Sequence, residues 1–388
     1  MKIVVLGSGN GGCITALRLG WETRNTDNTE VELIYNPEIP AENVGQGTNP
    51  NLVKLLDDSL GFNWYNNHFH ATPKSGIMYE GWGKVNEKWF HPFPADFMAM
   101  HYCPSDLQNV ILKSGHFKVT EGDVSDPKDI DADYVFDCRG TPKDFSEYNT
   151  LINPINSAIL AKPNWDTAST FWTRAVATPN GWTFIIPTTT SSNAVGYLYN
   201  KDITSKEDAE KNLLEMFDVE VTRHLNFKNY VAKNPIIDGR IILNGNRLFF
   251  IEPLEANAIQ AYMEVNYFIF KQLICKEKSN EDLSDRISRL IKEIQNYIIW
   301  HYQFGSKYDT PFWNYASNLS FKDPNFNLLL KEIKRGDIDV RHSDKLYGLW
   351  HPFSVNFHPL LFYPHTYSNL KKHSSLVFII GLLLRRKP

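Results

Sequence analysis

The chain has 388 residues, a length that permits two or three structural units. Hydrophobic residues make up 42% and charged residues 22%, as is typical of a folded globular protein. The formal net charge is −4 and no basic stripe is present, so nucleic acid is not an expected partner. The four cysteines form no C-x-x-C pair, so we expect no metal site, and no signal-peptide pattern precedes the first strand, which predicts reduced, buried thiols in a cytoplasmic protein. The apolar run at residues 376–384 is too short for a membrane-spanning helix, which needs roughly 20 residues.

Residues 2–36 have the pattern of a nucleotide-binding βαβ unit. An apolar run at residues 3–6 predicts a buried parallel strand, a glycine turn and an apolar helix follow, and residues 31–35 predict a second strand. The free N–H groups at the start of the helix suit a pyrophosphate. Asn36 stands where an acid usually binds the ribose hydroxyl, and we expect it to bind the ribose. The turn residues predicted to hold the dinucleotide are Gly7, Gly9, Asn10, Gly11 and Gly12.

Downstream segments predict further elements. Residues 131–140 predict another strand of the first sheet, and a long insertion at about residues 45–105 is of the kind that carries sites. Residues 150–250 predict short strands, with a helix at residues 205–217. The chain is mainly helical from residue 258 onward. His101 has no ligand spacing and is predicted to mark the start of a helix at residues 106–114.

Three ordered motifs follow the glycine turn. They are PKSGIMYEGW at residues 73–82, GWTFIIP at residues 181–187 and FIEPLEAN at residues 250–257. Alone, Lys74 would most often be a solvated lysine and Glu255 a carboxylate that stabilises a helix start. As a set, the motifs resemble the flavin-dependent halogenases of the tryptophan halogenase family, from residue 1 to about residue 315.

The resemblance implies site residues. Lys74 matches the active-site lysine of the K-x-G-I-x-[FY]-x-x-W element, and Glu255 matches the second, catalytic glutamate of E-P-L-E. Residues 44–50 resemble the family's flavin-contacting strap, and His301-Tyr302 matches a downstream element. The implied flavin contacts beyond the glycine turn are Gly45, Gln46, Gly47, Thr48, Trp182, Ile186, Pro187 and Pro253. The implied substrate contacts are Trp82, His91, Phe93 and Glu252, and the implied halide contacts are Asn257 and Ala258.

The resemblance also implies a mechanism. Reduced FAD would react with O2 to give a flavin hydroperoxide, which oxidises halide to hypohalous acid. Lys74 would then either hydrogen-bond this acid as an ammonium or form a haloamine as an amine. Glu255 would orient the acid or take the proton lost by the aromatic substrate. Glu252 is the competing candidate for that carboxylate role.

The sequence departs from the family pattern at several places. Phe184 replaces the second tryptophan of W-x-W-x-I-P, and Asn246-Arg247 replaces Asp-Ala at the flavin. Asn257-Ala258 replaces a Thr-Gly pair, and alanine takes positive φ less readily than glycine. The short length favours a compact member of the family, with a viral origin left open.

The expected fold class is α/β, with an FAD-binding Rossmann-like three-layer domain, an interleaved antiparallel-sheet substrate region and a helical C-terminal part. We expect residues 1–260 to form the FAD module, with substrate segments at about 50–110 and 150–240, and residues 261–388 to close the substrate side. The expected partners are a separate flavin reductase and a small aromatic or heteroaromatic substrate, with homo-oligomer formation left open. The alternatives are an FAD-dependent aromatic hydroxylase or reductase, or a non-catalytic flavin-binding relative.

Overall fold

The computed structural model describes residues 1–83, 88–93, 98–191, 193–303 and 305–320. Met1–Leu319 form one compact unit. A second unit, Ser320–Pro388, lies outside the described residues except for Ser320. The apolar run at residues 376–384 and the predicted C-terminal part beyond residue 320 therefore lie outside them as well.

The described residues form strands and helices in a mixed order. The strands are β1 (Lys2–Leu6), β2 (Glu30–Tyr35), β3 (Gln46–Gly47), β4 (Thr72–Lys74), β5 (Gly76–Glu80), β6 (Lys88–Pro92), β7 (Ala99–Tyr102), β8 (Lys118–Glu121), β9 (Tyr134–Asp137), β10 (Tyr148–Thr150), β11 (Ser157–Pro163), β12 (Thr173–Thr178), β13 (Gly181–Ile185), β14 (Val195–Tyr199), β15 (Val219–Asn226), β16 (Tyr230–Ala232), β17 (Ile236–Ile237), β18 (Ile241–Leu243) and β19 (Phe249–Phe250). The α-helices are α1 (Asn10–Thr23), α2 (Pro50–Leu60), α3 (Pro104–Leu112), α4 (Lys206–Met216), α5 (Asn257–Ile269), α6 (Leu283–Gln303) and α7 (Pro311–Ser317). A 3-10 turn at Leu254–Ala256 leads into α5, and a π-helical turn at Phe270–Ile274 follows it.

A six-stranded sheet forms the nucleotide-binding part of the fold. Its strand order is β17-β18-β9-β1-β2-β8, parallel from β18 to β8, with β17 antiparallel at one edge. Ile3, Val5 and Leu6 are fully buried in β1, as expected for a parallel strand covered on both faces. The predicted βαβ unit is confirmed, and β9 is the additional strand predicted at residues 131–140.

A seven-stranded sheet forms the second layer, in the order β15-β11-β14-β13-β12-β5-β6. Its neighbouring strands are antiparallel except for the parallel pair β12 and β5. The predicted strands at residues 182–186 and 194–199 are confirmed as β13 and β14. The predicted helix at residues 205–217 is confirmed as α4, whose first turn is capped by Ser205 Oγ on the Asp208 N–H at 3.1 Å.

Lys74 lies where the chain passes from a small sheet into this larger one. The small sheet has the order β3-β7-β4, and its strand β4 ends at Lys74. Strand β5 of the large sheet begins at Gly76. A Cβ atom on residue 76 would lie 2.2 Å from the His91 carbonyl oxygen, so only glycine fits between β4 and β5. The crossing brings the backbone two residues after Lys74 against the backbone of His91.

Helices α5 and α6 close one side of the described unit. A buried polar network joins α1 to α5, in which Thr15 Oγ1 lies 3.1 Å and Asn244 Nδ2 lies 2.9 Å from Asn266 Oδ1. The amphipathic pattern predicted from residue 283 is confirmed as α6, whose last turn carries the buried His301 and Tyr302. The predicted boundary at residue 260 falls inside α5 and remains a prediction.

No helix in the described part of the chain has the length and apolar character that a membrane span needs. All four cysteines are free; Cys13, Cys103 and Cys138 are buried and Cys275 is exposed.

Candidate active site

The glycine turn after β1 is shaped by close backbone approach. Gly7 has a φ of 95°, which favours glycine, and a Cβ on residue 12 would lie 1.8 Å from the Gly7 carbonyl oxygen. Residue 11 also packs against backbone, since a Cβ there would lie 2.7 Å from the Gly245 Cα. Gly9 is the N-cap of α1, provides no side-chain cap, and has no described atom within 4 Å of where its Cβ would be. Free N–H groups beside open space fit a pyrophosphate at this turn.

The strap at residues 44–50 joins this turn to the end of β13. Asn10 Nδ2 donates a hydrogen bond of 2.8 Å to Gln46 Oε1. The Gly45 N–H donates to the Asn193 carbonyl at 3.1 Å, and a Cβ on Gly45 would lie 3.3 Å from Ile186 Cγ2. The structure therefore brings together the predicted flavin contacts of the turn, the strap and Ile186.

Asn36, and the residues Asn246 and Arg247 that depart from the family pattern, make hydrogen bonds or ion pairs within the protein. Asn36 Oδ1 accepts a 2.9 Å hydrogen bond from the Glu38 N–H, which stabilises the turn after β2. Asn246 Oδ1 accepts from the Tyr262 hydroxyl at 2.8 Å, and Arg247 Nε lies 3.2 Å from Asp137 Oδ2. Ribose binding by Asn36 remains a prediction, for which its amide nitrogen and the second lone pair of Oδ1 are available.

Lys74 is buried, with 1% of its surface exposed. Its ammonium nitrogen donates to the Thr48 carbonyl at 3.0 Å and lies 5.2 Å from the centre of the Phe93 ring. Burial lowers the pKa of Lys74 to about 8, and the negative charge of Glu255 opposes that shift. The strap, the lysine, Phe93 and Glu255 thus share one interior region.

Glu255 occupies a sharp turn before α5. It has a φ of 67° and the following Ala256 has a φ of 56°, both in the left-handed region that non-glycine residues rarely adopt. Its side chain is 2% exposed, and Oε1 accepts a hydrogen bond from the Tyr79 hydroxyl. His301 Nε2 lies 3.3 Å and His91 Nδ1 lies 3.6 Å from the same oxygen. This strained turn places the Glu255 carboxyl group inside a cluster of titratable side chains.

The predicted halide contacts begin α5. Asn257 is buried, its Nδ2 donates to the Leu254 carbonyl at 2.8 Å, and its Oδ1 has no hydrogen-bond partner among the described residues. Ala258 lies within the helix, and the left-handed conformations fall on Glu255 and Ala256 instead. The alanine at position 258 is therefore compatible with this backbone.

Glu252 and Trp82 belong to a neighbouring aromatic cluster. Glu252 Oε1 accepts a 2.6 Å hydrogen bond from the Tyr302 hydroxyl, and burial raises the pKa of Glu252 to about 8. Trp82 Nε1 donates to the Ala175 carbonyl at 3.1 Å, and its ring lies 5.7 Å from Tyr302 and 6.3 Å from Trp182 between centroids. Within the described residues, Glu252 makes no ion pair or hydrogen bond with Lys74 or Glu255, so its substrate role remains a prediction.

No site role was predicted from the sequence for three residues that lie in this region. His101 lies in strand β7 rather than at a helix start, because α3 begins only at Pro104. Its Nε2 lies 2.9 Å from Thr173 Oγ1, and burial followed by the Lys74 charge lowers the pKa of His101 well below its usual value. Tyr79 and His301 lie inside the motifs at residues 73–82 and 301–302, which was the available signal. No group of three or more His, Cys, Asp or Glu side chains in the described ranges is arranged to hold a metal ion.

The fold is that of the flavin-dependent halogenases. A tryptophan halogenase from Shewanella frigidimarina superposes with a TM-score of 0.76, covering 93% of this chain and 88% of that chain at 18% identity. The flavin-dependent halogenase BrvH from Brevundimonas superposes with a TM-score of 0.72, covering 100% of this chain and 97% of that chain at 16% identity. At these identities the likeness shows the fold alone.

The sequence match makes the assignment more specific. A family model described as tryptophan halogenase matches residues 2–122 and 105–347, and the chain belongs to that family of flavin-dependent enzymes. The tryptophan 7-halogenase RebH of Lentzea aerocolonigenes is 22% identical, over 83% of this chain and 80% of RebH. The tryptophan 6-halogenase ThaL of Streptomyces albogriseolus is also 22% identical, over 83% of this chain and 80% of ThaL.

Proposed function

We propose that this chain uses reduced FAD, O2 and halide to generate hypohalous acid and directs that acid to Lys74 and Glu255. There it halogenates a small aromatic or heteroaromatic substrate. The supporting observation is that Lys74 and Glu255, from distant segments, are buried together and interact electrostatically. Burying an ammonium and a carboxylate costs free energy because both groups lose their hydration. Such buried charged groups are therefore found most often at functional sites.

FAD would be held by the glycine turn and the strap. When bound and reduced, it would supply the two electrons that reduce O2 to the peroxide level, and this oxidant would take two electrons from halide. The start of α1 would bind the pyrophosphate, and Trp182, Ile186, Pro187 and Pro253 would form an apolar wall beside the flavin. Asn257 and Ala258 would offer backbone N–H groups at the start of α5 to the halide.

Lys74 would act as the ammonium at neutral pH, because its pKa of about 8 keeps most of it protonated there. Nζ would donate to the oxygen of hypohalous acid and make the halogen more electrophilic. As the carbon–halogen bond forms, the oxygen–halogen bond breaks, and the hydroxide takes a proton from Lys74 to become water. An arginine could not donate this proton readily, since its guanidinium stays protonated.

Glu255 would accept the ring proton that the halogen replaces. The electron pair of the broken C–H bond returns to the ring and restores its aromaticity. Before that transfer, the carboxylate would stabilise the positive charge on the ring, an effect that is strong in a buried site. His91 and Phe93 lie next to Glu255 and Lys74 respectively, and would stack on the substrate ring.

A product assay tests this proposal against its alternatives. The purified protein is supplied with FAD, NADH, a separate flavin reductase, O2 and bromide, and an aromatic panel is analysed by mass spectrometry. Brominated product is expected. Hydroxylated product would favour a flavin hydroxylase, substrate reduction a flavin-dependent reductase, and peroxide alone a non-catalytic flavin-binding protein. Omitting the reductase is the control for the reductase partnership that we propose.

A further inference from the structure

Glu255 lies in a buried cluster that also contains Tyr79 and His301, which have no role in the proposed halogenation steps. We define the carboxylate cluster as Tyr79, His91, Glu255 and His301. The Tyr79 hydroxyl donates to Glu255 Oε1, and His301 Nε2 lies 3.3 Å from both Oε1 and the Tyr79 oxygen. Tyr79, His91 and His301 are each at most 2% exposed. Several hydrogen-bonding groups therefore converge on one carboxylate oxygen in a dry interior.

The hydrogen bonds define which atom of His301 can exchange a proton. His301 Nδ1 lies 2.8 Å from the Tyr297 carbonyl oxygen, which can only accept, so Nδ1 carries a hydrogen. Nε2 is then the ring atom that gains or loses a proton, and it faces Glu255 Oε1. A single proton between Oε1 and Nε2 satisfies this contact in either position.

The orientation of the imidazole is fixed by its neighbours. The Tyr79 ring stacks on it at a centroid distance of 5.8 Å and an interplanar angle of 22°. The Tyr297 ring meets it edge-on at 4.7 Å and 89°. A ring held on both sides keeps Nε2 aimed at the carboxylate, which is how a positioning residue supports a catalytic one.

We propose that His301, assisted by Tyr79, is a positioning residue that takes over from Glu255 the proton lost by the halogenated ring. This proposal rests on the proposed function. The ring C–H bond breaks, the proton moves to Glu255 and then to His301 Nε2, and a carboxylate faces an imidazolium. The proton leaves to solvent when the product is released.

Charge balance in the interior permits this transfer. Among the described residues, Lys74 interacts electrostatically with Glu255, and Tyr297 does so with Tyr79. Lys74 gives its proton to the departing hydroxide, so the pocket loses one positive charge there and gains one on His301. The net charge of the buried site is zero whether the proton is on Glu255 or on His301, and after the transfer each of the two charges has its counter-charge within hydrogen-bond reach.

Ring-deuterated substrate distinguishes this role from a purely structural one. In the wild type we expect proton removal to be faster than halogen attack, so that deuterium has little effect on the rate. His301→Gln should lower the halogenation rate about 100-fold and produce a clear isotope effect, because loss of the proton becomes limiting. Tyr79→Phe should shift both readouts in the same direction by a smaller factor.

Controls separate the possible outcomes. His224→Gln, on the partly exposed histidine that pairs with Glu210 at 3.0 Å, should leave both readouts unchanged. FAD affinity and the amount of hypohalous acid caught by an added trap should stay at wild-type levels in the His301 and Tyr79 variants. A rate loss without an isotope effect in both variants would overturn the proposal, as would unchanged rates. Absence of halogenated product from the wild type would instead overturn the proposed function.

Discussion

Lys74 is a buried ionisable side chain, and its surroundings have two opposite effects on the stability of its charged form. Desolvation disfavours its ammonium, whereas the Thr48 carbonyl and the Glu255 carboxylate stabilise it. The resulting pKa of about 8 lies close to neutral pH, where a group can change its protonation state readily. A lysine that titrates near neutrality can both donate a proton and recover it within one catalytic cycle.

The pH dependence of halogenation tests whether the ammonium is the active form. If it is, the rate should be high below pH 8 and fall as the pH rises through about 8. The profile is measured under saturating hypohalous acid production with chloride and again with bromide. A midpoint that is independent of the halogen belongs to the protein and not to the hypohalous acid. A rate that increases through pH 8 would favour the haloamine route instead.

Glu252 offers a second test at the residue scale. Its pKa of about 8, against an ordinary 4.5, means that the folded protein binds more protons than the unfolded chain between those values. Wild-type stability should therefore fall as the pH rises through this range. Glu252→Gln should remove this pH dependence. Relative to the wild type, its free energy of unfolding should therefore increase by up to about 4 kcal/mol between pH 5 and pH 8. Urea titrations at several pH values measure this.

The control for that experiment is Glu215→Gln in α4. Glu215 is exposed and lies 3.9 Å from Lys211, so its replacement should leave the pH slope unchanged. A slope that persists in Glu252→Gln would contradict a neutral, buried Glu252.

At the element scale, the strap and β4 depend on each other. A Cβ on Gly47 would lie 3.0 Å from Lys74 Nζ, tighter than ordinary contacts allow. Gly47→Ala should displace the ammonium from the Thr48 carbonyl and lower halogenation by about 10- to 100-fold, while the protein stays folded. Gly122→Ala is the matched control, because its nearest neighbour atom lies 3.8 Å away. Full activity in Gly47→Ala would show that this packing does not position Lys74.

The start of α1 allows a test of cofactor binding without chemistry. Gly9 has a φ of −65°, and its Cβ position is free of described atoms within 4 Å, so alanine fits the protein alone. If the pyrophosphate occupies that space, Gly9→Ala should weaken FAD binding by about tenfold or more while the melting temperature changes little. Fluorescence titration with FAD measures the affinity. Unchanged affinity would place the pyrophosphate elsewhere.

For the whole molecule, local sequence patterns predicted the secondary-structure elements better than the contacts between distant residues. The βαβ unit, β13, β14, α4 and α6 follow from local periodicity and turn residues, and all are confirmed. Lys74 and Glu255 were found through motifs, yet their shared interior depends on the crossing at Gly76 and the strained turn at Glu255.

The contacts of His101 and His301 could not be predicted from local patterns. Each reaches the site across a large separation in sequence, from β7 and α6 respectively. Hydrophobic periodicity specifies which face of an element is buried, but not which distant side chain meets it. Only the assembled layers bring these imidazoles to Lys74 and Glu255.

The most direct test of the central claim compares the wild type with Lys74→Ala. Halogenated substrate and freely released hypohalous acid, caught by an added trap, are measured in the same reaction. Lys54→Ala, on an exposed lysine that pairs with Asp58 at 2.8 Å, is the matched control. We predict that Lys74→Ala still binds FAD and releases hypohalous acid but forms no halogenated substrate. Site-selective halogenation that persists in Lys74→Ala would contradict the account.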